Sequence, residues 1–119
     1  MQRTFGRMAR LGLVAVALLG TAAVARSQEP RVIDIAAKRF AFSPSEVHLK
    51  KGEPVTIRIS SADVTHGMYM KALGVDAEIK PGKTTELKIT PNATGRFTAI
   101  CDHFCGAGHG NMHMEFVVE

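Results

Sequence analysis

Val55-Thr56-Ile57-Arg58-Ile59-Ser60 places an apolar side chain at every second position, the period of a β-strand with one face packed inward and the other toward water. Thr85-Glu86-Leu87-Lys88-Ile89-Thr90 repeats the pattern. Val47 and Leu49 flank His48 in the same way, and Ile33 and Ile35 begin a further strand. Turn-forming clusters separate these runs: Ser43-Pro44-Ser45, Lys51-Gly52-Glu53-Pro54, Lys80-Pro81-Gly82-Lys83 and Pro91-Asn92-Ala93-Thr94-Gly95. Further strands are expected over 64–70, 75–79, 96–101 and 113–118, seven or eight in all, and no stretch after residue 27 sustains a helical period. The chain therefore reads as all-β, a Greek-key β-sandwich of two sheets around one core.

The 119 residues suit a single domain with a short appendage. That appendage is the N-terminus. Arg3, Arg7 and Arg10 precede an apolar run from Leu11 to Ala25, and small then polar residues follow, which is the pattern of a secretory signal peptide. Cleavage fits after Ala25 or after Ser27; the second is preferred, giving a leader over 1–27 and a mature domain over 28–119. The run is shorter than the roughly 20 apolar residues of a spanning helix, so an uncleaved membrane anchor is the lesser reading. No later segment is apolar enough to span a bilayer. The mature chain is expected to be exported, periplasmic or otherwise extracytoplasmic.

The formal charge of +4 belongs to the leader. From Gln28 onward seven Lys and four Arg meet eleven Asp and Glu, and the charges cancel. Without a basic surface, nucleic-acid binding loses its electrostatic basis.

The chemistry concentrates in Cys101-Asp102-His103-Phe104-Cys105-Gly106-Ala107-Gly108-His109-Gly110-Asn111-Met112, between two expected strands. Two thiols, an imidazole and a thioether make a soft donor set. Copper cycling between Cu(I) and Cu(II) favours such a set, because sulfur suits the reduced ion and nitrogen the oxidised one. Zinc would gain little from Met112 and prefers four Cys or His ligands. Glycines 106, 108 and 110 permit a loop tight enough to aim its donors inward. His66, at the end of Ser61-Ala62-Asp63-Val64-Thr65, is the candidate for a donor from a distant element. The competing reading of the cysteines is a structural disulfide, natural for an exported pair; His109 and Met112 in register with them favour a metal.

Asp63-Val64-Thr65-His66-Gly67 followed by Cys101-x3-Cys105-x3-His109-x2-Met112 resembles the binuclear copper A domain of cytochrome c oxidase subunit II and of nitrous oxide reductase, over about residues 32–119. The resemblance implies a cupredoxin fold in which Cys101 and Cys105 bridge two coppers. It implies His66 and His109 as terminal ligands, Met112 as a weak axial ligand, and the main-chain carbonyl of His103 as a ligand of the other copper. Oxidases carry an acidic residue at the position of His103, linking the copper centre to magnesium; His103 departs from that pattern. The chain also has no Trp, so an oxidase-type indole route for electrons is missing, and an ordinary oxidase subunit is not expected.

The expected function is one-electron transfer through copper, with a c-type cytochrome or a terminal oxidase or reductase as redox partner. A mononuclear blue or red copper site on Cys105, His109, His66 and Met112 is the alternative within redox chemistry. Copper delivery or storage is the alternative outside it, prompted by His103, His113, Met68, Met70 and Met114. Met residues serve more often in packing. No Ser-His-Asp or paired-carboxylate arrangement suggests an enzyme. His48 falls on the outward phase of its strand, and the sequon Asn92-Ala93-Thr94 is assigned no role.

Overall fold

A computed structural model describes residues 29–119, together with residues 12, 15–17, 19 and 20. Apart from those six positions, the leader expected over 1–27 and its cleavage point lie outside the described residues. Among the described residues no helix is long and apolar enough to cross a membrane.

Nine strands form among the described residues: β1 (Arg31–Lys38), β2 (Ala41–Ser43), β3 (Glu46–Leu49), β4 (Val55–Ser61), β5 (His66–Met70), β6 (Val75–Ile79), β7 (Thr84–Ile89), β8 (Gly95–Ile100) and β9 (His113–Val118). They make two sheets, one ordered β2-β1-β4-β7 and the other β3-β9-β8-β5-β6. β1 runs parallel to β4, and β3 runs parallel to β9, while the remaining neighbours are antiparallel. The ninth strand is β2, whose three residues are too few to display an alternation. Its partner supplies the order instead, through the register Ala36↔Ser43, Ala37↔Phe42 and Lys38↔Ala41.

Alternation translates directly into layers. Val55, Ile57 and Ile59 are buried while Arg58 and Ser60 face out. Ile57 sits between Ile33 of β1 and Leu87 of β7 by register. The opposing sheet sends in Val47, Leu49, Met68, Met70, Val75, Ile79, Ala99, Met114, Phe116 and Val118, which close one continuous core with Ile35, Phe42 and Ile89. Each fully buried aliphatic or aromatic side chain of this kind contributes about 1.5–3 kcal/mol. Gly52 and Gly82, at φ of +80° and +78°, occupy two of the expected turns and supply backbone that other residues adopt only with strain.

The strand order determines where the loop lies. Residues 101–112 connect β8 to β9, and the loop is tied at its base by the Cys101 N–H donating to the Met112 carbonyl at 3.0 Å. β5 lies beside β8 with Tyr69 opposite Ile100, so the start of β5, His66, reaches the same end of the sandwich. The bend between β1 and β2 comes to that end as well.

Candidate metal centre

His66 is fully buried, the one buried polar side chain among the described residues. Its Nε2 stands 2.7 Å from Asp63 Oδ1. Its Nδ1 is buried and has no hydrogen-bond partner among the described residues. An imidazole nitrogen sealed from water without a partner carries a desolvation penalty of about 1–3 kcal/mol, which a ligated ion would offset. His66, Cys101 and Cys105 offer donor atoms that all lie within 4.8 Å of one another.

The cysteines are buried and free, with sulfurs 3.7 Å apart, far beyond the roughly 2.05 Å of a bonded pair. The disulfide reading is therefore not realised. Cys105 Sγ also lies 3.7 Å from His109 Nδ1 and 3.9 Å from Met112 Sδ. Donors about 2.0–2.3 Å from one ion at tetrahedral angles stand roughly 3.3–3.8 Å from each other. The spacing around Cys105 thus fits a metal of the borderline-to-soft class, and the orphaned His66 nitrogen fits it independently.

His103 divides into two parts. Its carbonyl oxygen lies 3.3 Å from Cys101 Sγ, so the main chain faces the centre. Its imidazole is exposed, with Nδ1 at 3.0 Å from the Phe104 carbonyl. The structure therefore brings the His103 carbonyl to the site and leaves its side chain outside. His113 is likewise exposed, with Nδ1 turned to the Asn111 carbonyl at 2.9 Å. Met68, Met70 and Met114 pack in the core between the sheets, and His48 lies on the surface between Glu46 and Glu119.

Electrostatics follows the burial. Desolvation pushes the Cys105 thiol up to about 11, and the hydrogen bond and charge of Cys101 push the same way. Asp63 is held well below the usual carboxylate range, chiefly by the main-chain N–H of Arg39 and next by His66. A carboxylate fixed in its ionised form beside Nε2 favours a proton on that nitrogen, which leaves Nδ1 with its lone pair available as a donor to a metal.

Asp63 and Arg39 received no role in the sequence reading. The Asp-x-x-His spacing was visible at 63–66, but the partners of Arg39 lie 24 and 66 residues away and no local pattern marks them.

Comparison with known proteins agrees with this architecture. The profile of the cupredoxin-like domain family matches residues 10–118. The chain belongs to that family. This cupredoxin-like domain is 30% identical over 80 residues to cytochrome c oxidase subunit 2 of Thermus thermophilus, covering 67% of this chain and 59% of that protein. It is 31% identical over 100 residues to the nitrous-oxide reductase of Cupriavidus necator, covering 81% of this chain and 16% of that protein. Among solved structures, the periplasmic domain of subunit II of cytochrome oxidase from Bradyrhizobium japonicum superposes with a TM-score of 0.69, covering 75% of this chain and 83% of that domain. At 19% identity, that likeness speaks for the fold alone. The cupredoxin-like domain thus spans little more than half of the Thermus subunit and a small part of the reductase.

Proposed function

We propose that this cupredoxin-like domain is an exported copper protein that carries single electrons, with a binuclear copper A type centre held by His66, Cys101, Cys105, His109, Met112 and the carbonyl of His103. The observation that carries the proposal is the buried, unpartnered Nδ1 of His66 set within reach of two free, buried thiols. In this reading the Cys101 and Cys105 thiolates and the His66 and His109 imidazoles would hold the ions, and Met112 and the His103 carbonyl would be further, weaker donors. The likeness to an oxidase subunit and to a nitrous-oxide reductase supports a redox role.

Bound copper would supply a one-electron couple, with thiolate favouring the reduced ion and imidazole the oxidised one. The chain's own contribution is to hold the donors still. The Cys101–Met112 hydrogen bond closes the loop, Asp63 orients the His66 ring, and burial of Cys101, Cys105 and Met112 keeps water from the sulfurs. With that many donors converging, no open position is left for a substrate, so the domain acts as a carrier rather than as an enzyme. The redox partner is a c-type cytochrome or a terminal oxidase or reductase. The location is periplasmic, over mature residues 28–119, or membrane-anchored where the leader of 1–27 stays uncleaved.

One observation favours a mononuclear alternative: His109 and Met112 both approach Cys105, and neither makes a comparable contact with Cys101. Cys101→Ser separates the two. A binuclear centre loses half its copper and its native spectrum, whereas a mononuclear site keeps both. Copper delivery is less supported, because Met68, Met70 and Met114 lie inside the core and the exposed His103 and His113 imidazoles turn to main-chain carbonyls. Stopped-flow mixing of the oxidised, copper-loaded domain with a reduced c-type cytochrome tests the carrier role; reduction no faster than for the copper-free chain would sink it.

A further inference from the structure

Two elements at the metal end carry the candidate donors, the segment leading into β5 and the β8–β9 loop. A third, the bend between β1 and β2, carries none and yet holds both. The main-chain N–H of Arg39 donates to Asp63 Oδ2 at 2.8 Å, and the other oxygen of that carboxylate meets His66 Nε2 at 2.7 Å. The Arg39 side chain donates from Nε to the Cys105 carbonyl at 3.0 Å. The neighbouring Phe40 ring packs against the loop, for a Cβ added at Gly106 or Gly108 would fall 2.9 or 2.6 Å from its carbons.

We propose that Arg39 is a positioning residue of the metal centre, fixing His66 and Cys105 relative to each other from an element that supplies no ligand. The inference rests on the copper reading above for its metal and on the hydrogen bonds themselves for its geometry. Gly67 also packs against Asp102 and the main chain at His103, but Arg39 gives the two donor segments a shared hydrogen-bond partner. With Arg39, one residue bonds to both: its backbone clamps the carboxylate that orients the imidazole, and its guanidinium clamps the backbone of the cysteine. The guanidinium is planar and always charged, so the Nε–H direction is fixed relative to the guanidinium plane. The cost of ligand movement on electron exchange is thereby set partly outside the ligand loop. Phe40 completes the clamp by covering the two glycines with an apolar ring, which limits water access from that side.

The test uses Arg39→Gln and Arg39→Lys in the full chain. Arg39 is exposed, so neither substitution removes a core contact. Gln can place an amide nitrogen at the position of Nε but without the charge; Lys retains the charge without the planar fork. Each protein is loaded with copper, its EPR spectrum recorded, and release of copper(I) to a strong chelator timed. Exchanging a charge-assisted hydrogen bond for a neutral one predicts release roughly fivefold faster in Arg39→Gln, an altered EPR signal, and Arg39→Lys in between. Release within twofold of wild type with an unchanged spectrum overturns the proposal, as does equal behaviour of the Lys and Gln variants. Amide hydrogen exchange on the copper-free chain gives a second reading: exchange across 105–112 should quicken in Arg39→Gln, and unchanged exchange counts against the clamp. A wild-type chain that takes up no copper would defeat the proposed function instead, and the exchange comparison would still judge Arg39.

Discussion

His66 carries an unmet demand in the metal-free domain, since one ring nitrogen is bonded and the other is sealed without a partner. Replacing a buried, half-satisfied polar group by an apolar one of similar size is close to neutral for stability. His66→Leu should therefore change the stability of the copper-free domain by no more than about 1 kcal/mol, while abolishing most of the stabilisation that copper confers. Chemical denaturation with and without copper checks this; a copper-free variant that is largely unfolded would contradict it. Cys105 gives a pH prediction. An unfolded thiol loses its proton near 9.0, but the folded one keeps it to about 11. Above 9.0 the unfolded state binds fewer protons, so stability falls as pH rises. Copper-free stability is then fully present below about 9.0 and declines through about 11, and Cys105→Ser should flatten that decline. Melts of both proteins across this window decide the matter, and parallel curves would refute the assignment. At this scale most of the site was legible, because Cys101, Cys105, His109 and Met112 share one loop and their spacing encodes their convergence. His66 needed its Asp63–Gly67 context. Arg39 was illegible, because nothing local distinguishes a clamping arginine from a solvated one.

Elements carry the next set of constraints. β4 packs between β1 and β7, and its inward residues are fully or almost fully buried. Ile57→Ala should cost about 2–5 kcal/mol and lower the melting temperature without a specific effect on metal uptake. Gly106 behaves differently. Its φ is +142°, and an added Cβ would come 2.9 Å from the Phe40 ring. Gly106→Ala should cost about 1–3 kcal/mol from overpacking and strain, and unlike Ile57→Ala it should also speed copper loss, because the loop itself is displaced. Thermal melts paired with chelator competition separate the two; identical ratios of stability loss to copper loss would contradict the distinction. Eight of the nine strands were readable from alternation and turn punctuation. β2 was not, since a three-residue strand has no period to read and exists through its pairing with β1. The sequence pattern also left strand direction open, and the parallel pairing of β1 with β4 and of β3 with β9 follows from chain order around the sandwich.

For the whole molecule, a small domain with one modest core has limited stability, and an ion that binds only the folded state adds to it. At a free copper concentration about 100-fold above its dissociation constant the addition is about 2.7 kcal/mol, which for a domain of this size raises the melting temperature by roughly 10–20 °C. Removing copper with a chelator should reverse that rise, and calorimetry that finds no shift would count against a folded-state site. The central claim concerns the number and coupling of the ions. The most direct measurement is the copper content of the reconstituted protein together with its EPR spectrum. Two coppers per chain, with one unpaired electron split by two equivalent copper nuclei, is the predicted result. One copper per chain with hyperfine structure from a single nucleus would contradict it.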